Sequence, residues 1–209
     1  CPQPFKESLV SRVDRLTCSG LIPEAIFVFV DLYTSFGGSQ YINSSFFGPH
    51  SDFIIKELIP FIEQKFPVKP GVQSRMVIGK SSGGFGALRL CMDVPDSFSV
   101  CGCFSGDMGF NLMFGARLID ICHATARFKG DVNAYLKFLK DGVKISSHDM
   151  HILSLLGCAG FYSPDKNSDL GFTLPLNTLT GEIDHSLMGK WYEHDPINRI
   201  EHSRQNIER

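Results

Sequence analysis

The segment from residue 75 to residue 92 constrains the fold most, because it joins a short strand to a helix through glycines and serines. Arg75–Gly79 (RMVIG) has the apolar content of a strand, and Phe85–Met92 has helical spacing. The residues between them (KSSGG) permit a sharp turn. A strand, a tight turn and a helix in this order are typical of a chain that builds a parallel sheet with crossover helices.

Three flanking segments extend this pattern. Ala25–Asp31 (AIFVFVD) is a continuous apolar run, which predicts a strand buried on both faces. Ser51–Phe66 has helical spacing; we expect Ser51 and Asp52 to cap it and Pro60 to kink it or weaken one turn. Ser99–Phe104 predicts a third strand. The fold class is therefore predicted to be α/β.

The second half of the chain has a different character. We expect one domain over residues 1–209, with residues 108–180 forming a helical insertion or cap over the strand ends. The expected elements are helices at Val132–Leu139 and His148–Leu156, a loop at Ser163–Gly171, a short strand at Leu170–Leu174 and a helix at Asp195–Arg209.

Composition excludes several classes of protein. The 209 residues are 43% hydrophobic and 20% charged with a formal net charge of −2, a globular balance without the basic face that nucleic-acid or membrane-surface binding requires. Seven cysteines show no disulfide or metal-ligand spacing, so we expect Cys101 and Cys103 to be buried thiols and a reducing, cytoplasmic compartment to be preferred. We predict no metal and no cofactor.

Ser81 is the candidate nucleophile. In Gly79-Lys80-Ser81-Ser82-Gly83, a G-x-S-x-G match, the serine would sit on a strained strand-to-helix turn that needs small residues two positions away on each side. The backbone N–H of Ser82 would face the oxyanion that forms during acyl transfer. A phosphate-binding loop is the alternative, but it needs a glycine where this chain has Ser74.

At these residues the chain resembles the putative esterase family, which includes esterase D, S-formylglutathione hydrolase and enterochelin esterase. The resemblance continues through GGSQYINSS (37–45), ELIPFIEQKF (57–66), FSGD (104–107), YSPD (162–165) and WYEHDP (191–196). It implies an α/β-hydrolase fold of three layers with a mostly parallel sheet. It also implies that Ser81 is the nucleophile and that the Ser82 amide contributes to the oxyanion hole.

The same resemblance implies further pocket residues: Asp107 and Met108 after the third strand, and Gln40, Tyr41 and Trp191. Two alternatives stay open. Trp191 is more often a core residue than a substrate platform, and the 37–45 stretch could be a packed loop whose side chains bind its own backbone.

A triad acid and histidine are not evident. We expect structural or surface roles for the downstream candidates, which are Asp149, His151, Asp165, Asp184, His185, His194, Asp195 and His202. The family carries its acid and histidine on two later strands and its second oxyanion donor on an earlier loop. We therefore expect the chain to be an incomplete module that lacks both ends.

The resulting prediction is a serine carboxylic-ester hydrolase with a small-molecule or sugar-linked ester as its substrate. An acyltransferase of the same fold, a catalytically inactive binding or structural protein, and a carbohydrate-binding module are the alternatives.

Overall fold

A computed structural model describes residues 7–207, so Cys1, Glu208 and Arg209 lie outside the described residues. Two strands, β3 (Met76–Lys80) and β4 (Val100–Phe104), form a parallel pair in which Lys80 lies opposite Phe104. The crossover helix α4 (Ser82–Asp93) contacts both strands. This arrangement confirms the α/β class and the parallel pairing that the sequence predicts.

The other elements are mostly helical. They are α1 (Leu9–Cys18), β1 (Asn43–Ser44), β2 (Gly48–Pro49), α2 (His50–Asp52), a π-helical segment (Phe53–Leu58), α3 (Ile59–Lys65), a 3-10 turn (Val72–Ser74), α5 (Phe110–Phe114), α6 (Ile119–Thr125), a 3-10 turn (Ala126–Phe128), α7 (Val132–Lys140), α8 (Ser147–Tyr162), α9 (His185–Tyr192) and α10 (Pro196–Ile207).

The predicted strand at Ala25–Asp31 is wrong for the structure described here. The segment lies outside any helix or strand, and its apolar side chains are about half exposed, Phe29 by 50%. A strand needs a neighbour to complete its ladder of hydrogen bonds. Within residues 7–207, no backbone hydrogen bond joins this segment to another element.

The helix around Pro60 shows the effect of a missing N–H. Residues 50–65 are helical throughout, but the turn before Pro60 is the π-helical segment, where the N–H of Ile59 donates to the carbonyl of Ile54. Proline cannot donate the usual bond, so one turn is widened. The predicted caps are wrong: the helix begins after Pro49, the side chain of Asn43 accepts from the Asp52 N–H at 3.1 Å, and Asp52 itself pairs with Lys56.

The later helices begin at residues that favour helix starts. The side chain of Asp131 accepts a hydrogen bond from the backbone of Ala134 at the start of α7, and Ser146 and Asp149 form a reciprocal capping box at α8. These helices confirm the predictions for 132–139 and 148–156. The predicted strand at Leu170–Leu174 is reduced to a single bridge between Phe172 and Pro164.

The core lies among the helices of the second half. Phe85 from α4 joins Phe110, Phe114, Tyr135 and Trp191, each at most 1% exposed. The sheet is less covered, since Ile78 is 60% exposed. The burial predicted for Cys101 is wrong for this reason: it lies exposed at the less covered sheet, although Cys103 is partly buried.

Candidate active site

Ser81 has a strained backbone between β3 and α4. Its φ is 56° and its ψ is −127°, a region that non-glycine residues rarely occupy and that costs of order 1–3 kcal/mol. The Ser81 N–H donates to the carbonyl of Phe104, 3.0 Å away, which ties the turn to the end of β4. The side chain of Ser81 is left exposed at the carboxyl edge of the sheet.

Gly79 is required by this turn. A Cβ atom at residue 79 would lie 2.0 Å from the carbonyl oxygen of Gly83, and backbone atoms cannot yield that much space. Gly83 itself is different, because a Cβ there would meet nothing within 4 Å. A Cβ atom at residue 84 would lie 2.9 Å from the Cα of Gly106, so α4 approaches the loop after β4 closely. Gly86 faces Tyr41 instead of the sheet.

The N-terminus of α4 supplies donors beside Ser81. Ser82 is the first helical residue, so its N–H has no acceptor within the helix. The helix dipole adds partial positive charge at this end. The location is suited to a developing oxyanion.

Asp107 connects Ser81 to Gln40. The hydroxyl of Ser81 donates to Asp107 Oδ1 at 3.3 Å, and Gln40 Nε2 donates to Asp107 Oδ2 at 3.4 Å. Burial raises the pKa of Asp107, while the hydrogen bonds from Gln40 and Ser81 act in the opposite direction. A chain of three side chains therefore runs from the exposed serine to a buried amide.

The loop at 37–45 combines both of its predicted roles. Its side chains do bind its own backbone, since Ser39 Oγ accepts a hydrogen bond from the Tyr41 N–H at 2.8 Å. Tyr41 has a φ of 58° and packs against Gly86, and burial raises its pKa. This packed turn points Gln40 toward Asp107.

A cleft of about 200 Å³ opens at Ser81. Of the residues predicted for the pocket, the structure brings Gln40, Ser81, Ser82 and Asp107 together on its wall. The helical half also contributes to the lining, through Arg117 before α6 and through His151, Ser154 and Cys158 on α8. The sequence predicts a structural or surface role for His151 and gives no indication for Arg117, yet both line the cleft.

His151, which lines the cleft, lies next to the carboxylate of Asp120. Its Nε2 lies 3.3 Å from Asp120 Oδ2. Among the described residues, the side-chain hydrogen bond of Ser81 is to Asp107 and no histidine is bound to the serine hydroxyl. His151 therefore lines the cleft but makes no hydrogen bond to Ser81.

Three predicted pocket residues do not line the cleft, and one of them is Tyr41, which packs against Gly86. Trp191 is fully buried in the core, where its Nε1 donates to Ser163 Oγ at 2.9 Å and its ring meets Phe114 edge to face. Met108 is 38% exposed and does not line the cleft. The core alternative is the arrangement that the structure shows for Trp191.

Metal and membrane features are limited in the part of the chain that the structure describes. Residues 7–207 contain no group of three or more His, Cys, Asp or Glu side chains able to hold a metal ion. Within the same range, no helix combines the length and apolar content that crossing a bilayer requires.

Comparison with known proteins identifies the family. The family model described as "Putative esterase" matches residues 14–209, and a search of curated proteins finds no significant match. The family match covers nearly the whole chain and confirms the resemblance that the motifs carry. Membership of this family implies an α/β-hydrolase-like fold and supports ester hydrolysis as the general activity. The chain belongs to the putative esterase family.

Proposed function

We propose that the chain is a serine carboxylic-ester hydrolase that acts through an acyl-enzyme on Ser81. The observation that carries the proposal is the strained backbone of Ser81 at the end of β3, with φ at 56°. Backbone strain persists where the surrounding structure enforces it, and it is concentrated at functional sites. Here Gly79 and the hydrogen bond to Phe104 enforce it. The finer architecture that we propose with it is the three-layer α/β-hydrolase arrangement around β3, α4 and β4.

The chemistry follows from the position of the serine. Ser81 Oγ attacks the carbonyl carbon of the ester, and the negative charge moves to the carbonyl oxygen beside the Ser82 N–H. The tetrahedral intermediate collapses, the alcohol leaves with a proton, and Ser81 carries the acyl group as an ester. Water then attacks this ester and releases the acid. A small-molecule or sugar-linked ester is the substrate class that we propose.

The hydroxyl of Ser81 needs a base to accept its proton. Asp107 is the hydrogen-bond acceptor that the described residues place on Ser81, and a carboxylate orients a hydroxyl more readily than it deprotonates one. This observation favours one rival, a catalytically inactive binding or structural protein on the same scaffold. Activation of the serine is therefore the property to measure.

A fluorophosphonate probe separates the two functions, because it labels only an activated serine. We expect labelling of the wild-type chain and its loss in Ser81→Ala. Ser99→Ala is the matched control, since Ser99 is an exposed serine that precedes β4, at the opposite end of the sheet from Ser81. Absence of labelling in the folded wild type, or labelling that survives in Ser81→Ala, would overturn the proposal.

A further inference from the structure

Arg117 brings an unpaired positive charge to the cleft at Ser81. The residue is exposed, lies in the turn between α5 and α6, and lines the cleft. Within residues 7–207, its guanidinium makes no ion pair, hydrogen bond or ring contact. Other arginines of this range have such partners, which are carboxylates for Arg12, Arg15, Arg75, Arg89 and Arg199 and aromatic rings for Arg127.

Two acids near Arg117 are bound to other groups. The backbone N–H of Asp120 donates to the carbonyl of Arg117 at 3.0 Å, but the Asp120 carboxylate pairs with His151 instead. In the cleft, one oxygen of Asp107 accepts from Ser81 and the other accepts from Gln40. A guanidinium stays protonated at every pH at which proteins fold, so Arg117 leaves a permanent cation in the cleft without a counter-ion from the described residues.

We propose that Arg117 binds a free carboxylate group of the substrate, and that the enzyme thereby prefers esters that carry such a carboxylate over neutral esters of nearly the same shape. The inference rests on the proposed function, because it gives the substrate class of the site at Ser81. A guanidinium presents its N–H donors in a planar fork that matches the two oxygens of a carboxylate, and hydrogen bonds between such charged groups are stronger than neutral ones.

A substrate can contact Arg117 and Ser81 at the same time. Both residues are exposed, and both line one cleft of about 200 Å³. Asp107 lies beside the Ser81 hydroxyl, and its negative charge disfavours a second carboxylate there. We therefore expect the free carboxylate to be separated from the ester group by a spacer of several bonds, which carries it to Arg117.

Two pairs of esters test the preference, one for each half of the substrate. The acyl pair is the mono-p-nitrophenyl ester of adipic acid and the methyl ester of that compound. The alcohol pair is 4-acetoxybenzoate and methyl 4-acetoxybenzoate. After each kcat/KM is divided by the uncatalysed hydrolysis rate of the same ester, we expect a preference of about threefold or more for the carboxylate member in at least one pair at low salt. Ratios below about threefold in both pairs would overturn the inference.

Salt distinguishes recognition of the charge from recognition of the shape. Exposed charges are screened within a few ångströms at about 1 M salt and over about 30 Å at 0.01 M. We expect the carboxylate-to-methyl ratio to fall toward one as the salt concentration rises across this range. A ratio that does not change with salt would count against the inference.

The variant Arg117→Gln removes the cation at an exposed position, where substitution is well tolerated. We expect it to bring the carboxylate-to-methyl ratio to about one. Lys166→Gln is the matched control, because it removes one positive charge from an exposed loop residue that does not line the cleft, and it should keep the wild-type ratio. An unchanged ratio in Arg117→Gln, or an equal fall in both variants, would overturn the inference.

A binding measurement separates this inference from the proposed function. Ser81→Ala cannot form the acyl-enzyme, so affinities for the same four esters can be read by ligand-observed NMR. Tighter binding of the carboxylate member supports the role of Arg117, and equal binding of both members overturns it. If the wild type hydrolyses none of the esters but the binding preference is present, the proposed function fails and the role of Arg117 stands. Hydrolysis without any preference has the opposite meaning.

Discussion

Asp107 accepts a hydrogen bond from Ser81 across 26 residues of sequence, with 3.3 Å between Oδ1 and Oγ. The contact exists because β3 and β4 are parallel and end in register, at Lys80 and Phe104, so that the residues after each strand meet at one sheet edge. The carboxyl ends of parallel strands are where such folds hold their ligands. Four measurements follow from this edge and its surroundings.

The first concerns the pH dependence caused by Asp107. Burial raises the pKa of this carboxyl, so the folded state holds the proton more tightly than the unfolded chain does. Its contribution to stability is then fully present below the ordinary pKa of about 4 and is lost as the pH rises through the raised value. We expect Asp107→Asn to remove that loss, so that its stability relative to wild type improves as the pH rises from 4 to 7. Urea unfolding at both pH values measures it, and a difference independent of pH would contradict it.

The second compares two glycines of the turn at Ser81. Gly79→Ala places a Cβ 2.0 Å from the carbonyl oxygen of Gly83, so we expect a loss of about 3 kcal/mol of unfolding free energy. Gly83→Ala is the matched control, because its Cβ meets nothing within 4 Å and alanine favours the helix by about 0.5 kcal/mol. Thermal and urea unfolding give both values. Equal effects of the two substitutions would show that the turn is not held as described.

The third concerns His194. Burial, and then the positive charges of Arg89 and Arg199, lower its pKa to about 4. The unfolded chain takes up the proton near pH 6.5 and the folded chain does not, so stability is lost as the pH falls from about 6.5 to about 4. We expect this loss to reach up to about 3 kcal/mol and to be absent in His194→Gln. Unfolding curves at pH 7 and pH 4.5 test it; an equal loss in both proteins would place the acid sensitivity elsewhere.

The fourth separates packing from substrate binding at Trp191. Trp191→Phe keeps much of the ring packing and removes the hydrogen bond from Nε1 to Ser163. We expect a cost of about 1–2 kcal/mol in unfolding free energy. Because Trp191 lies in the core and not in the cleft, the rate of fluorophosphonate labelling of Ser81 should change by less than about twofold. Slower labelling at unchanged stability would assign Trp191 to the site.

Local sequence is sufficient to predict the turn at Ser81. The turn depends on the close approach of Gly79 to Gly83, two residues only four positions apart. The spacing of Gly79, Ser81 and Gly83 between a strand-like and a helix-like segment therefore predicts the turn without knowledge of the rest of the fold. The helix starts at Asp131 and Ser146 belong to the same class, because capping is also a short-range interaction.

The remaining features depend on distant parts of the chain. Ala25–Asp31 has a strand-like composition, but a strand exists only with a partner, and composition does not show one. His151 lies 70 positions beyond Ser81 and reaches the cleft through the placement of α8, which no local pattern encodes. Gln40 was predicted near the pocket through resemblance; its unpaired oxygen could be seen only once Asp107 had been placed.

The backbone strain at Ser81 lowers the stability of the fold, and a side chain at this position is the cause. Glycine has no Cβ and adopts a φ of 56° without the penalty that serine incurs, so on conformational grounds glycine is the more stable residue here. A chain selected only for its ability to fold has no reason to keep a side chain at this position. The serine is therefore a stability cost at a position where its hydroxyl donates to Asp107.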